Sequence, residues 1–181
     1  MSTVATKPGK AAASRRTAKL HTPNTLGAEA THDLGAALNA LLADIFALYV
    51  KTKNFHWHVS GPHFRDYHLL FDEQADAIFA SIDVMAERVR RIGGTTIRSI
   101  SHIGQLQTIE DDNTDFVPAG EMVKRLMEDN GLMAKMLREA VVVCDKHRDS
   151  ATSNALEEIL DETERRTWFL FEVLQGVNAA D

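Results

Sequence analysis

One cysteine, Cys144, is all the chain has, so no disulfide can form within it. Its place on the apolar side of a helical pattern marks it as a small core residue, and a reducing, intracellular setting is expected. No apolar run approaches the roughly 18–20 residues of a membrane span, and the amino terminus lacks the apolar core of a secretory signal. Strand-like alternation is absent, which excludes a sheet-based fold, and no repeat of solenoid period is found. Prolines number four. Pro8 and Pro23 lie in the first stretch, Pro62 at a break and Pro118 at a helix start, so long helices run uninterrupted between them. Residues 1–28 hold no acidic residue and no Phe, Tyr or Trp.

That first stretch does carry Lys7, Lys10, Arg15, Arg16 and Lys19, a charge of +5. The whole chain stands at −6, so the remainder is at −11. With few large apolar groups besides Leu20 and Leu26, residues 1–28 cannot bury enough surface to order themselves and are expected to form a disordered basic arm. Three uses are open to it: solubility, an organelle transit signal, or binding of nucleic-acid phosphates. With no Phe, Tyr or Trp to stack on bases, any DNA binding would be independent of sequence and sensitive to salt.

The remaining residues, 29–181, suffice for one domain with a sizeable core. Their apolar spacing predicts four helices, at about 31–55, 64–92, 118–146 and 151–175. Leu34, Leu38, Leu41, Leu42, Ile45, Leu48 and Tyr49 stripe the first. Ser60-Gly61-Pro62 ends it, and Gly93-Gly94 stops the second. Met122, Leu126, Met133, Leu137, Val141 and Cys144 stripe the third, and Leu156, Ile159, Leu160, Phe171 and Leu174 the fourth. Methionines in these stripes read as core filling, not haem ligands. Asp149-Ser150 offers a cap before the fourth helix. A connection of more than 20 residues, about 95–117, is long for a compact bundle. It predicts a crossover along the bundle, with room for a short helix, that leaves the second and third helices pointing the same way. The fold class is therefore all-α, a ferritin-like four-helix bundle.

The stretch from His56 to Glu87 carries the chemistry. His68/Asp72 and Asp83/Glu87 are two i,i+4 pairs, falling near 0°, 40°, 60° and 100° at about 100° per residue, so all four share one helix face. His56 lies on the inward stripe of the preceding helix. Charged i,i+4 pairs are commonly just a solvated face; two pairs on one face beside an inward histidine are less easily explained that way. Imidazole with carboxylate suits iron or manganese. Asp72 and Asp83 are eleven residues apart, roughly 16 Å along a helix, so within one chain the pairs cannot hold the same ion. Two copies of the helix running antiparallel about a two-fold axis would bring them together, giving two equivalent sites per dimer.

The pattern Phe55-His56-Trp57-His58-Val59-x-Gly61, then Phe64, His68 and Asp72, then Asp83-x-Met85-Ala86-Glu87-Arg88 and Gly93-Gly94, closely resembles the Dps family of mini-ferritins. The resemblance covers roughly residues 30–175. Ordinary ferritins use Glu and Glu-x-x-His motifs within one bundle; the one Glu-x-x-His here, Glu29 to His32, lies at the wrong end of the first helix. The resemblance implies a homo-dodecameric cage that takes up Fe(II) and oxidises it, preferably with hydrogen peroxide, at di-iron centres on two-fold interfaces, and stores ferric mineral. The ligands it implies are His56, His68 and Asp72 from one subunit, with Asp83 and Glu87 from its partner. Trp57 would stand beside the centre as an electron donor or as interface packing, and Asp149 is the residue expected at the iron-entry pore. A cytoplasmic, nucleoid-associated protein is implied, its arms binding double-stranded DNA. Two other readings stay open: a nucleoid-compacting DNA-binding protein whose iron chemistry is secondary, and a bundle using the interfacial site structurally, with zinc or no redox metal.

Overall fold

The computed structural model describes residues 20–178, and Lys7, Lys10, Arg15, Arg16 and Lys19 lie outside the described residues. Five helices follow in order: α1 Ala28–His58, α2 Phe64–Arg91, α3 Ile100–Leu106, α4 Ala119–His147 and α5 Ser150–Asn178. No strand occurs among the described residues.

Long-range side-chain bonds give the directions of the four long helices. Lys51 pairs with Asp129 at 2.7 Å, while Asp33, near the start of α1, meets Lys146 and His147 at the end of α4. α1 and α4 are therefore antiparallel. Gln74 reaches the Arg166 carbonyl, and Arg88 reaches Asp149 and Thr152, so α2 and α5 are antiparallel as well. Since α1 and α2 form a hairpin, α2 and α4 point the same way, as the long connection predicts. That connection is fastened along α1 by three side chains. Asn39 donates to the Thr95 carbonyl, Asn54 to that of Asp112, and the buried Asp44 carboxylate accepts from the Thr108 and Ile109 amides. Asp44 thus meets backbone donors that a buried loop would leave unpaired.

The core is the set of apolar stripes turned inward: Leu34, Leu38, Leu42 and Leu48 of α1, Phe71, Ile78 and Met85 of α2, Leu126 and Leu137 of α4, and Leu156 of α5. Three readings of the sequence change. Phe171 is half exposed, and Leu170 is the residue that α5 buries there. In a run of apolar residues from Trp168 to Phe171 the periodicity alone leaves the phase of the stripe undecided. α1, moreover, is long and apolar enough by composition to cross a membrane, although half of its most apolar window is packed inside the bundle. Finally, residues 20–27, counted above with the arm, lie against the end of α2. Asn24 donates to the Ile92 carbonyl at 2.8 Å, Arg90 donates to that of Leu20, and Leu26 packs on the core. Gly93, with φ +87°, makes this approach possible, because a Cβ there would lie 2.9 Å from the Thr22 carbonyl oxygen.

Candidate metal centre

The break at Ser60-Gly61-Pro62 folds the last turn of α1 onto the first turns of α2. His56 and His68 come face to face, their rings stacked with centroids 3.8 Å apart. Each Nδ1 donates to the other residue's backbone carbonyl, at 2.8 Å from His56 and 2.9 Å from His68. A carbonyl oxygen only accepts, so both Nδ1 atoms carry the hydrogen and both Nε2 lone pairs are free for a metal. An outer-shell hydrogen bond of this kind orients a ligating imidazole. Phe64 packs against His68, with ring centroids 5.0 Å apart.

Asp72, one turn further along α2, completes this half of the site. Its Oδ1 lies 3.7 Å from His56 Nε2 and 2.6 Å from Lys53 Nζ. The hydrogen bond from Lys53 holds the Asp72 carboxyl below its ordinary range, ionised and ready to ligate, and raises Lys53 in turn. His56, His68 and Asp72 therefore lie side by side, two imidazoles and a carboxylate, without closing into a three-ligand site. Asp83 and Glu87 stand exposed on the same helix, Glu87 paired with Arg91 at 2.7 Å. At about 1.5 Å per residue they are too distant along α2 to join that group. Among the described residues of one chain, no three His, Cys, Asp or Glu side chains gather closely enough to hold an ion.

Trp57 is 63% exposed. It lines an open cavity of about 620 Å³ together with Asn54, His58, Asp112 and Phe116, a lining that does not include His56, His68 or Asp72. Asp149, the residue expected at the iron-entry pore, has a structural task within the chain. Its carboxylate is buried, caps α5 by accepting from the Thr152 amide at 3.1 Å, and pairs with Arg88 at 2.8 Å. Burial alone would raise its titration; the Thr152 hydroxyl and amide and the Arg88 guanidinium outweigh that and bring it below the usual carboxylate range. Sequence reasoning passed over Lys53 and the reciprocal histidine bonds. Lys53 lies three residues before His56, one helical turn, and that spacing was the available signal.

A ferritin-like domain, the description of the ferritin family, matches residues 35–180. The chain is 37% identical over 140 residues to a low temperature-induced protein of Nostoc sp., covering 77% of this chain and 78% of that one. It is 32% identical over 133 residues to DNA protection during starvation protein 2 of Bacillus anthracis, covering 74% and 90%. Among solved structures, a Dps protein from Bacillus brevis superimposes with a TM-score of 0.78 at 32% identity, covering 82% of this chain and 99% of that one.

Proposed function

Because this chain belongs to the Dps family of ferritin-like proteins, we propose that it oxidises Fe(II) with hydrogen peroxide at sites shared between two subunits and stores the ferric product in a dodecameric cage. One observation carries the reading. His56 and His68 lock each other's tautomer and present two Nε2 atoms beside an ionised Asp72, a half-site that no other described residue of its own chain completes. The donor set fits iron as a substrate: imidazole nitrogen and carboxylate oxygen suit this ion, and added carboxylates favour the ferric over the ferrous state.

His56, His68 and Asp72 bind and orient Fe(II) from one side. Asp83 and Glu87 of the partner subunit bring the additional negative charge. Lys53 shares Asp72 with the incoming ion or gives it up. Two Fe(II) ions each lose one electron, and those two electrons break the O–O bond of one peroxide molecule. With two waters the products are two ferric oxyhydroxide units and four protons, so no one-electron oxygen radical is released. Shielding DNA from such radicals is the protective role we assign, in keeping with the relative's name. The basic arms, twelve to a cage, would add salt-sensitive DNA binding through multivalency.

Complementation between two inactive variants tests the shared site. His68→Ala/Asp72→Ala lacks one half and Asp83→Ala/Glu87→Ala the other. In a mixed dimer, one of the two sites regains every ligand. Co-assembly at equal amounts is therefore expected to restore about a quarter of the wild-type peroxide-dependent Fe(II) oxidation, because half the dimers are mixed. Two inactive variants that stay inactive when mixed would place the centre within one chain and overturn the reading.

A further inference from the structure

Resting on that shared site, the geometry points to Phe79 as the positioning residue of the two-fold face: it meets its own copy at the axis and sets the spacing of both half-sites. In an antiparallel pair of α2 helices, one register must place His68 opposite Glu87 of the partner subunit and Asp72 opposite Asp83 of the partner subunit. Both pairs of numbers add to 155, so a single register satisfies them together. The axis then crosses α2 at the midpoint, between Ala77 and Ile78. Ile78 is turned into the core and cannot take part.

Of the large apolar side chains exposed on α2, Phe79 lies nearest that midpoint. It is 55% exposed, the most of Phe64, Leu69, Phe79 and Val84. At about 100° per residue it falls near 20° on the scale that puts His68 at 0° and Glu87 near 100°, inside the arc of ligands. Its ring leans on Tyr49 of α1, with centroids 5.2 Å apart. Close to the axis, a two-fold preserves the lateral position of each residue while reversing its height; further out, the two helices must cross for His68 to reach Glu87 of the partner subunit. Phe79 therefore faces Phe79 of the partner subunit, offset by three residues, or about 4.5 Å along the helix. Asp76, near 80°, faces its own copy on the other flank. The aromatic contact is the attractive one of these two self-contacts, and Asp76 repels its copy.

The test is site-directed cross-linking of the full chain. Cys144 is buried and its thiol pushed up to about 12, so a maleimide reports the introduced cysteine. With a short bifunctional maleimide, Phe79→Cys is expected to give covalent dimers on a denaturing gel. Glu87→Cys is expected to give none with itself, its copies lying about 28 Å apart along the helices, but to join His68→Cys when the two are mixed. If the mixed pair joins and Phe79→Cys does not, the shared site stands and the role of Phe79 falls. If neither joins, the shared site falls with it. Cobalt(II) binding gives the second readout, since positioning by Phe79 is felt as affinity. Phe79→Ala is expected to weaken it by about tenfold, the scale of an outer-shell loss, and Phe79→Leu to restore it. Unchanged cobalt affinity in Phe79→Ala would also overturn the proposal.

Discussion

Asp149 shows how one side chain can join two helices. Its carboxylate caps α5 through Thr152 and takes the charge of Arg88 from α2. Asp149→Ala would leave the Arg88 guanidinium, itself largely buried, without its counter-charge. Breaking such a pair by removing one partner costs about 3–5 kcal/mol. Loss of that size is expected in chemical denaturation of the variant. The sign of the pH dependence follows from the depressed carboxyl. Its stabilisation is full above the unfolded value of about 4 and is lost as pH falls through the lower folded value. Acid titration of stability should therefore be shallower below about pH 4 in Asp149→Asn than in the parent. The same two bonds show what a sequence reading of this residue reaches and what it misses. The Asp149-Ser150 cap is legible, because capping is local. The partner on α2 is sixty-one positions away and leaves no mark on the local pattern.

Elements with a strong period were legible almost in full. The four long helices and the crossover follow from apolar spacing, glycines and prolines, and the parallel run of α2 and α4 follows from connection length. The crossover's fastenings were not legible: Asn39, Asp44 and Asn54 look like polar residues within a long apolar helix until the loop is seen to need their oxygens and amides. At the candidate metal centre, the residue types and their shared face were legible. The reciprocal histidine bonds were not, since they join side chain to backbone across a separation of twelve residues. Residues 20–27 belong at this scale too. They read as tail because they have little apolar content, yet side-chain-to-backbone bonds from Asn24 and Arg90 hold them to the end of α2 without a core of their own. Gly93→Ala would force a Cβ against Thr22 and Asn24 at a positive φ. A destabilisation of about 1–2 kcal/mol is expected, together with faster proteolysis between residues 20 and 27, measured by peptide mapping.

For the molecule as a whole, that latch divides the amino terminus in two. A truncation meant to remove only the basic arm should end at Lys19; one extended to residue 28 would also strip bonds from the bundle. Deleting residues 2–19 is expected to abolish the shift of linear duplex DNA in a gel at low salt while leaving Fe(II) oxidation unchanged. In the intact protein the shift should weaken steeply as salt rises, because phosphate contacts release counterions. Retained binding by the truncated cage would mean that the bundle surface, at −11 without its arm, finds another way to approach a polyanion.

The burial of Cys144 has a consequence of its own. Sulfur is usually the first casualty of an oxidant, and thiolate is the form that reacts. Here the single thiol lies inside the bundle and stays protonated far above neutral pH. On the function proposed above, a protein that consumes peroxide would thus keep its one thiol out of peroxide's reach, with no sulfenate at Cys144 to join a neighbouring subunit by a disulfide.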